Sequence, residues 1–255
     1  MLKIAKLENG IKISNGQNYI LLNEKILYWF TTKSKVHIPV FEGQTATEAM
    51  QKFIDKHKGK NYTQQEENKI KQLAEKSFLN EPEITKDITD ITSQTGGKNV
   101  GLEFRKKTIG SITRKAKSDS LEKNVDIEKA YSELNDVIRY SYAKEADKLV
   151  EDGQKTLKAL ESKGYRVLKI KNTFLDNTNP YSGINVQMLS PKGQRFELQF
   201  NTLDNYRVKE KQHLLYEIKR FNETPDWLKK DLDKMMFDIA KDYQKVKGIE
   251  KFIKK

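Results

Sequence analysis

The stretch INVQMLSPKGQRFELQF, residues 184–200, decides how this chain folds. Apolar and polar residues alternate through Ile184–Leu189 and again through Arg195–Phe200. That period of two is the signature of strands with one buried face. Pro191-Lys192-Gly193 joins the two runs as a turn. In the second run Phe196, Leu198 and Phe200 share one face and face the core. Glu197 and Gln199 share the other, and two polar groups on one face of a central strand need partners.

Working back from this pair, Tyr165–Ile170 reads as a strand, separated from it by the turn-rich loop NTNPYSG. An amphipathic helix, Lys144–Lys163, ends at Gly164 ahead of that strand. Before it lie a strand over Asp136–Tyr142, a helix over Asp126–Leu134, a basic helix from Ile109 to Asp119 and a short strand, Gly101–Arg105. Two helices, Gln65–Leu79 and Ile84–Gln94, precede these, and two more, Val208–Phe221 and Trp227–Lys247, close the chain. Helices and strands therefore alternate from residue 84 to 200, which predicts an α+β fold with one mixed sheet flanked by helices.

The N-terminal part differs in composition. From Ile11 to Val40 the residues are β-branched, aromatic and punctuated by turns, with Asn9-Gly10 and Asn15-Gly16 as hairpin signals. Three or four short strands are expected, followed by a helix capped by Thr45 with Ala49, Met50, Phe53 and Ile54 on one face. The polar segment HKGKNYTQQE (57–66) reads as a linker. The expected organisation is a small β-rich accessory unit over 1–60 and a main domain over 61–255.

Lys and Arg number 48 against 36 Asp and Glu, a formal charge of +12. Such a surplus concentrates polyphosphates or nucleic acid near the surface, although lysine on solvated helix faces accounts for part of it. The absence of cysteine removes disulfides, thiolate nucleophiles and Cys-ligated zinc from consideration, and it fits a cytoplasmic protein. No stretch approaches the roughly 18–20 consecutive apolar residues of a membrane helix. The start MLKIAKLENGIKI lacks the apolar run of a signal peptide. No membrane partner is expected.

Four constellations could carry chemistry. Arg105-Lys106-Lys107-x3-Ser111-x2-Arg114-Lys115 bridges a strand end and the first turns of a helix, where unpaired N–H groups and the helix dipole favour anions. Asp136 stands at the start of a strand with Arg139 three residues on, an odd offset that points the two side chains to opposite faces. Glu197 and Gln199 offer a carboxylate able to hold Mg²⁺ or to accept a proton from a hydroxyl. Tyr181, in the loop Asn179–Asn185, could stack on a base.

The order and spacing of these residues resemble the RelA/SpoT synthetase family: Arg-x-Lys-x3-Ser-x3-Lys, an Asp strand, Tyr-x3-Asn, then Glu-x-Gln followed by Thr. The resemblance spans roughly Ile84 to Arg220. It implies an ATP-dependent pyrophosphokinase that transfers pyrophosphate from ATP to a ribose hydroxyl. Arg105, Lys107, Ser111, Arg114 and Lys115 would hold ATP. Asp136 and Glu197 would position Mg²⁺, with Glu197 also deprotonating the acceptor and Gln199 completing the pocket floor. Arg139, Tyr181 and Asn185 would bind the acceptor.

The departures lie on the acceptor side: Pro180 replaces the family Gly, Asn185 the His and Asn201 the Arg. The acceptor therefore stays open among GDP or GTP, an adenine nucleotide and the tRNA 3′ end. None of the three histidines pairs with an Asp as in the family's hydrolases. A synthetase without a hydrolase is harmful unless regulated, so the family's toxic small synthetases are the natural comparison, with an immunity or antitoxin protein as partner. Two other readings compete. An ADP-ribosyltransferase could show Glu197-x-Gln199 in place of its Glu-x-Glu, and a non-catalytic nucleic-acid-binding or phage structural protein could keep a synthetase-like fold.

Overall fold

In the computed structural model the described residues are 3–7, 10–14, 19–22, 61–219 and 226–252. The chain divides into two compact units, one of residues 60–208 with 242–255, the other of 1–59 with 209–241.

In the smaller unit, β1 (Lys3–Leu7), β2 (Gly10–Ser14) and β3 (Tyr19–Leu22) form an antiparallel meander. β1 lies ahead of Ile11, where the β-rich pattern was expected to begin. The expected β-rich pattern beyond Leu22, up to Val40, and the helix after Thr45 lie outside the described residues.

In the larger unit, α1 (Gln64–Leu79) opens inside the expected linker because Thr63 and Glu66 form a reciprocal capping box. α2 (Glu81–Gln94) starts three residues before Ile84, with Pro82 in its first turn, where a missing N–H costs nothing. β4 (Lys98–Val100) then ends at Gly101, whose φ of +64° admits a left-handed residue, so the strand expected at 101–105 is displaced upstream. α3 (Ile109–Lys123) is capped by Thr108, and α4 (Ile127–Ser132) by Asp126. β5 (Arg139–Lys144), α5 (Leu149–Ser162), β6 (Arg166–Asn172), β7 (Ile184–Leu189) and β8 (Arg195–Thr202) complete the sheet region. α6 (Leu203–Lys219) begins in this unit and ends in the smaller one, to which α7 (Asp226–Ala240) belongs.

The five strands run in the order β4-β5-β8-β7-β6. β5 and β8 are parallel and the other pairs antiparallel, so the sheet is mixed. The fold is α+β, with helices flanking that sheet.

The strand expected over 136–142 begins only at Arg139. Residues 105–107 pair with 137–139 instead: Lys107 N–H donates to Val137 O, Arg139 N–H to Arg105 O, and Lys106 bridges Ile138. This short antiparallel bridge lays the basic segment beside Asp136.

One sheet face is packed. Tyr140, Tyr142, Phe196, Leu198 and Phe200 bury against Ile84, Ile88 and Ile91 of α2 and Leu149, Leu157 and Leu160 of α5. Each large apolar side chain so buried stabilises the fold by about 1.5–3 kcal/mol. Phe252 caps this core against Phe200, ring centroids 5.1 Å apart. A second cluster joins Ile70 and Ala74 of α1 to Ile112 and Ala116 of α3 and to Tyr131, Leu134 and Val137. It fixes α3, and with it the basic motif, beside the start of β5. Among the described residues no helix is long and apolar enough to cross a membrane.

Candidate active site

The sheet face opposite the apolar core is polar, and the register explains why. In parallel pairing Arg139 stands beside Glu197, Ser141 beside Gln199 and Ala143 beside Asn201. In antiparallel pairing Gln187 stands beside Glu197 and Asn185 beside Gln199. Strand alternation thus puts Glu197, Gln199, Asn201, Asn185, Arg139 and Ser141 on one face.

At one end of this face lies a three-charge cluster. Lys107 Nζ donates to Asp136 Oδ2 at 2.7 Å and Lys115 Nζ to Asp136 Oδ1 at 2.9 Å. The antiparallel bridge positions Lys107, and the second turn of α3 positions Lys115. Burial favours the neutral form of Asp136, but Lys107 and Lys115 outweigh it and hold the carboxyl far below the usual range. For Lys107, whose side chain is 14% exposed, burial dominates and lowers the ammonium pKa despite Asp136. Ser111 lies one turn before Lys115, on the same side of α3, and Arg114 donates to its hydroxyl at 3.3 Å.

Arg105 goes elsewhere. Its Nε donates to Glu81 Oε1 at 2.6 Å and its Nη1 to Leu102 O at 2.9 Å. Glu81, 2% exposed, also takes Lys106 at 2.8 Å and the Thr85 hydroxyl. Burial raises its pKa, but hydrogen bonds from Lys106, Thr85 and Arg105 prevail and hold it at about 2. The motif thus splits, with Arg105 and Lys106 anchored to α2 and Lys107 and Lys115 gathered on Asp136. Glu81 carries no motif spacing, so nothing in the sequence marks it.

Glu81→Gln should therefore loosen the 102–107 segment. A buried hydrogen-bonded group left half satisfied costs about 1–3 kcal/mol, to be read as a lower denaturant midpoint. Because the Glu81 pKa is depressed, its contribution is complete above pH 4.5 and disappears as pH falls through about 2. The variant should lack that acid-linked loss. An unchanged midpoint would show the anchor to be energetically idle.

Glu197 accepts from Gln199 Nε2 at 2.6 Å, and Gln199 Oε1 accepts from the Ser141 hydroxyl at 3.3 Å. Burial raises the Glu197 pKa, the Gln199 hydrogen bond lowers it, and the Asp136 charge raises it again. Two carboxyls thus sit in one field with opposite tuning, one firmly ionised and one more basic, the pattern of a divided acid–base and electrostatic role. Arg139 also acts on Glu197 and on Lys107. The expected divergence of Asp136 and Arg139 does not arise, because Asp136 precedes β5 and strand alternation does not govern it.

Asp136 and Glu197 are the two carboxylates of this face through which a Mg²⁺ ion could be held, with both Asp136 oxygens here accepting from lysines. Among the described residues no group of three or more His, Cys, Asp or Glu could hold a metal. Mg²⁺ in phosphate-transfer sites takes one or two carboxylates and completes its shell with phosphates and water. The mutual repulsion of these two carboxyls is what a divalent cation relieves.

In the loop ahead of β7, the Tyr181 hydroxyl donates to Asn185 Oδ1 at 3.1 Å. Burial and the Glu197 charge push its pKa up, and a side-chain hydrogen bond with Asn201 acts against them. The Tyr181 backbone is held by Asn179 Oδ1, which accepts its N–H at 3.0 Å. Gly183 makes the arrangement fit, since a Cβ there would stand 2.0 Å from the Tyr181 hydroxyl and 2.7 Å from Asn201 Oδ1. Asn201 is fully buried, and continuing the alternation of Glu197 and Gln199 by two residues would have found it.

No protein-family model matches the chain, and no curated protein matches it in sequence. Several solved structures are similar at low identity. A GTP pyrophosphokinase family protein from Streptococcus pneumoniae is 16% identical over 71% of this chain and 89% of its own, at a TM-score of 0.44. The Type VI effector Tas1, solved with its immunity protein, is 17% identical over 68% of this chain and 96% of its own, at 0.42. The small alarmone synthetase 1 from Bacillus subtilis, bound to its product pppGpp, is 16% identical over 54% of this chain and 68% of its own, at 0.40.

Proposed function

We propose that this protein is an ATP-dependent pyrophosphokinase acting on a ribose hydroxyl of a nucleotide or of an RNA 3′ end. The observation that carries the reading is the Lys107–Asp136–Lys115 cluster beside Glu197 on one sheet face. The chemistry needs cations for a spreading phosphoryl charge and a base for a hydroxyl, with little covalent help.

In the step, the acceptor hydroxyl oxygen bonds to the β-phosphorus of ATP. The bond from that phosphorus to the bridging oxygen of the α-phosphate breaks, AMP leaves with the electron pair, and the hydroxyl proton passes to Glu197. Lys107, Lys115, Ser111 and the first amides of α3 bind the ATP phosphates, with Arg114 at the rim of the same surface. Arg105 supports this segment through Glu81. Gln199 orients Glu197, and Tyr181, Asn185 and Arg139 line the acceptor side. Mg²⁺, held by Asp136 and Glu197, would supply neutralisation of phosphate charge.

The +12 charge favours an extended polyanionic acceptor such as the tRNA 3′ end, with GDP or GTP as the competing acceptors. Transfer at subsaturating acceptor should then collapse between roughly 50 and 200 mM salt for tRNA, each phosphate contact adding about 0.7–0.9 to the slope. Efficient conversion of GDP or GTP with tRNA untouched would retire the RNA acceptor. On the same reading unregulated transfer is toxic and an immunity or antitoxin protein restrains it. Expression alone should arrest growth, and Glu197→Gln should relieve the arrest.

A further inference from the structure

The larger unit holds a cavity of about 190 Å³ framed by the end of α1, by α4 and by the turn between β7 and β8. None of Lys107, Lys115, Asp136 and Glu197 lines it. Leu134 and Val137, both buried, give it an apolar wall. Its polar groups include Arg195 and the paired hydroxyls of Ser77 and Tyr131, and no carboxylate is among its walls. The turn fixes where Arg195 enters, since Gly193 takes a φ of +80° and the Gln194 N–H donates to Ser190 Oγ at 3.0 Å.

These groups hold more donors than the chain uses. Arg195 Nη1 donates to Asn135 Oδ1 at 3.1 Å, a neutral acceptor, and no ion pair among the described residues includes Arg195. An arginine fork carries five N–H groups, so most of its capacity and all of its charge stay available. The Ser77 and Tyr131 hydroxyls lie 2.7 Å apart, and one proton serves that bond whichever group donates it. The second proton meets no acceptor among the described residues. Both side chains are buried, where an unspent donor is costly and uncommon.

We propose that this cavity is a second ligand site, which takes a small oxyanion, carboxylate or phosphate, carried on a compact apolar group. The oxyanion receives Arg195, whose planar fork meets two oxygens at once, and the spare hydroxyl proton. The apolar part lies against Leu134 and Val137. The volume sets the size of the occupant. A cavity of about 150 Å³ takes benzene, whereas drug-sized ligands fill about 300–1,000 Å³. The occupant is thus one substituted ring or its equivalent, too small to be a nucleotide. The site is therefore neither the donor nor the acceptor pocket, and it stands whether or not the pyrophosphokinase reading does.

The test is calorimetric titration of the full chain with benzoate and with phenyl phosphate. Saturating α,β-methylene-ATP, which does not react, keeps the probes off the lysine cluster. One probe should bind per chain. Arg195→Gln can still reach Asn135 but carries no charge, and it should weaken binding at least about tenfold, the scale of a lost charge-assisted hydrogen bond. Lys107→Ala should leave binding unchanged. If Arg195→Gln fails to fold, Ser77→Ala combined with Tyr131→Phe takes its place. Replacing both hydroxyl partners by apolar groups is nearly neutral for stability, and loss of the spare donor should weaken binding several-fold. Binding of one probe and not the other supports the site and identifies its oxyanion. No binding of either probe overturns the proposal, as does affinity kept in Arg195→Gln (or in the double variant in its place) or lost in Lys107→Ala. Acetate and inorganic phosphate binding as tightly as the aryl probes would also overturn it, as the mark of an adventitious ion only.

Discussion

Glu197→Gln should lower pyrophosphate transfer by about 10²-fold or more, the loss that follows removal of a positioned acid–base group. The substitution keeps the shape of the side chain and removes a charge that burial already disfavours. Stability should therefore hold or rise slightly, and ATP binding, which depends on Lys107 and Lys115, should change little. The pH profile provides a second readout. The Glu197 pKa is raised, and the base works only when ionised. Transfer in the wild type should therefore rise with pH through a value above that of an ordinary carboxyl, and this limb should vanish in the variant. Near wild-type turnover in a folded Glu197→Gln protein would assign the carboxylate to a merely solvated sheet face.

Asp136→Asn should reduce transfer by a similar factor of about 10² or more, since it removes a fixed charge from the site of phosphoryl transfer. Its effect on binding should have the opposite sign to that of a lysine substitution. Asp136 holds Lys107 and Lys115 at 2.7 and 2.9 Å, so removing its charge releases both ammonium groups toward an anion. Metal-free α,β-methylene-ATP should bind Asp136→Asn more tightly than wild type, while Lys107→Ala weakens it. Lys107, half of a largely desolvated pair, should also deprotonate more readily once Asp136 is gone. A thermal shift of nucleotide-bound against nucleotide-free protein reads both effects. Identical nucleotide affinity in all three proteins would mean that the cluster does not bind phosphate.

Much of this fold was legible because alternation is a local property. Phe196, Leu198 and Phe200 against Glu197 and Gln199 set the two faces of β8, and β7 began and ended where its apolar positions did. The Thr63 and Thr108 caps are equally local, yet the expected linker over 57–66 passed over the first and the second was not read. What failed to show depends on partners far apart in sequence. β5 starts three residues late because the chain before it pairs with 105–107, a bridge no periodicity announces. Arg105 and Lys107 look like one phosphate motif, yet the two side chains take opposite anchors. Glu81 lies 24 positions upstream of Arg105, and Asp136 lies 29 positions downstream of Lys107. Asn201 entered only as the residue in place of a family Arg, and its burial beside Tyr181 depends on how the 179–185 loop folds over Gly183.

The reaction itself tests the central claim most directly. Purified protein is incubated with ATP labelled in its γ-phosphate, Mg²⁺, and a mixture of ADP, GDP, GTP and tRNA, and the nucleotides and RNA 3′ ends are read by mass spectrometry. The expected result is AMP formed in equal amount with an acceptor heavier by one pyrophosphate, absent with Glu197→Gln. Hydrolysis of ATP without a pyrophosphorylated acceptor, or no consumption of ATP at all, would contradict it.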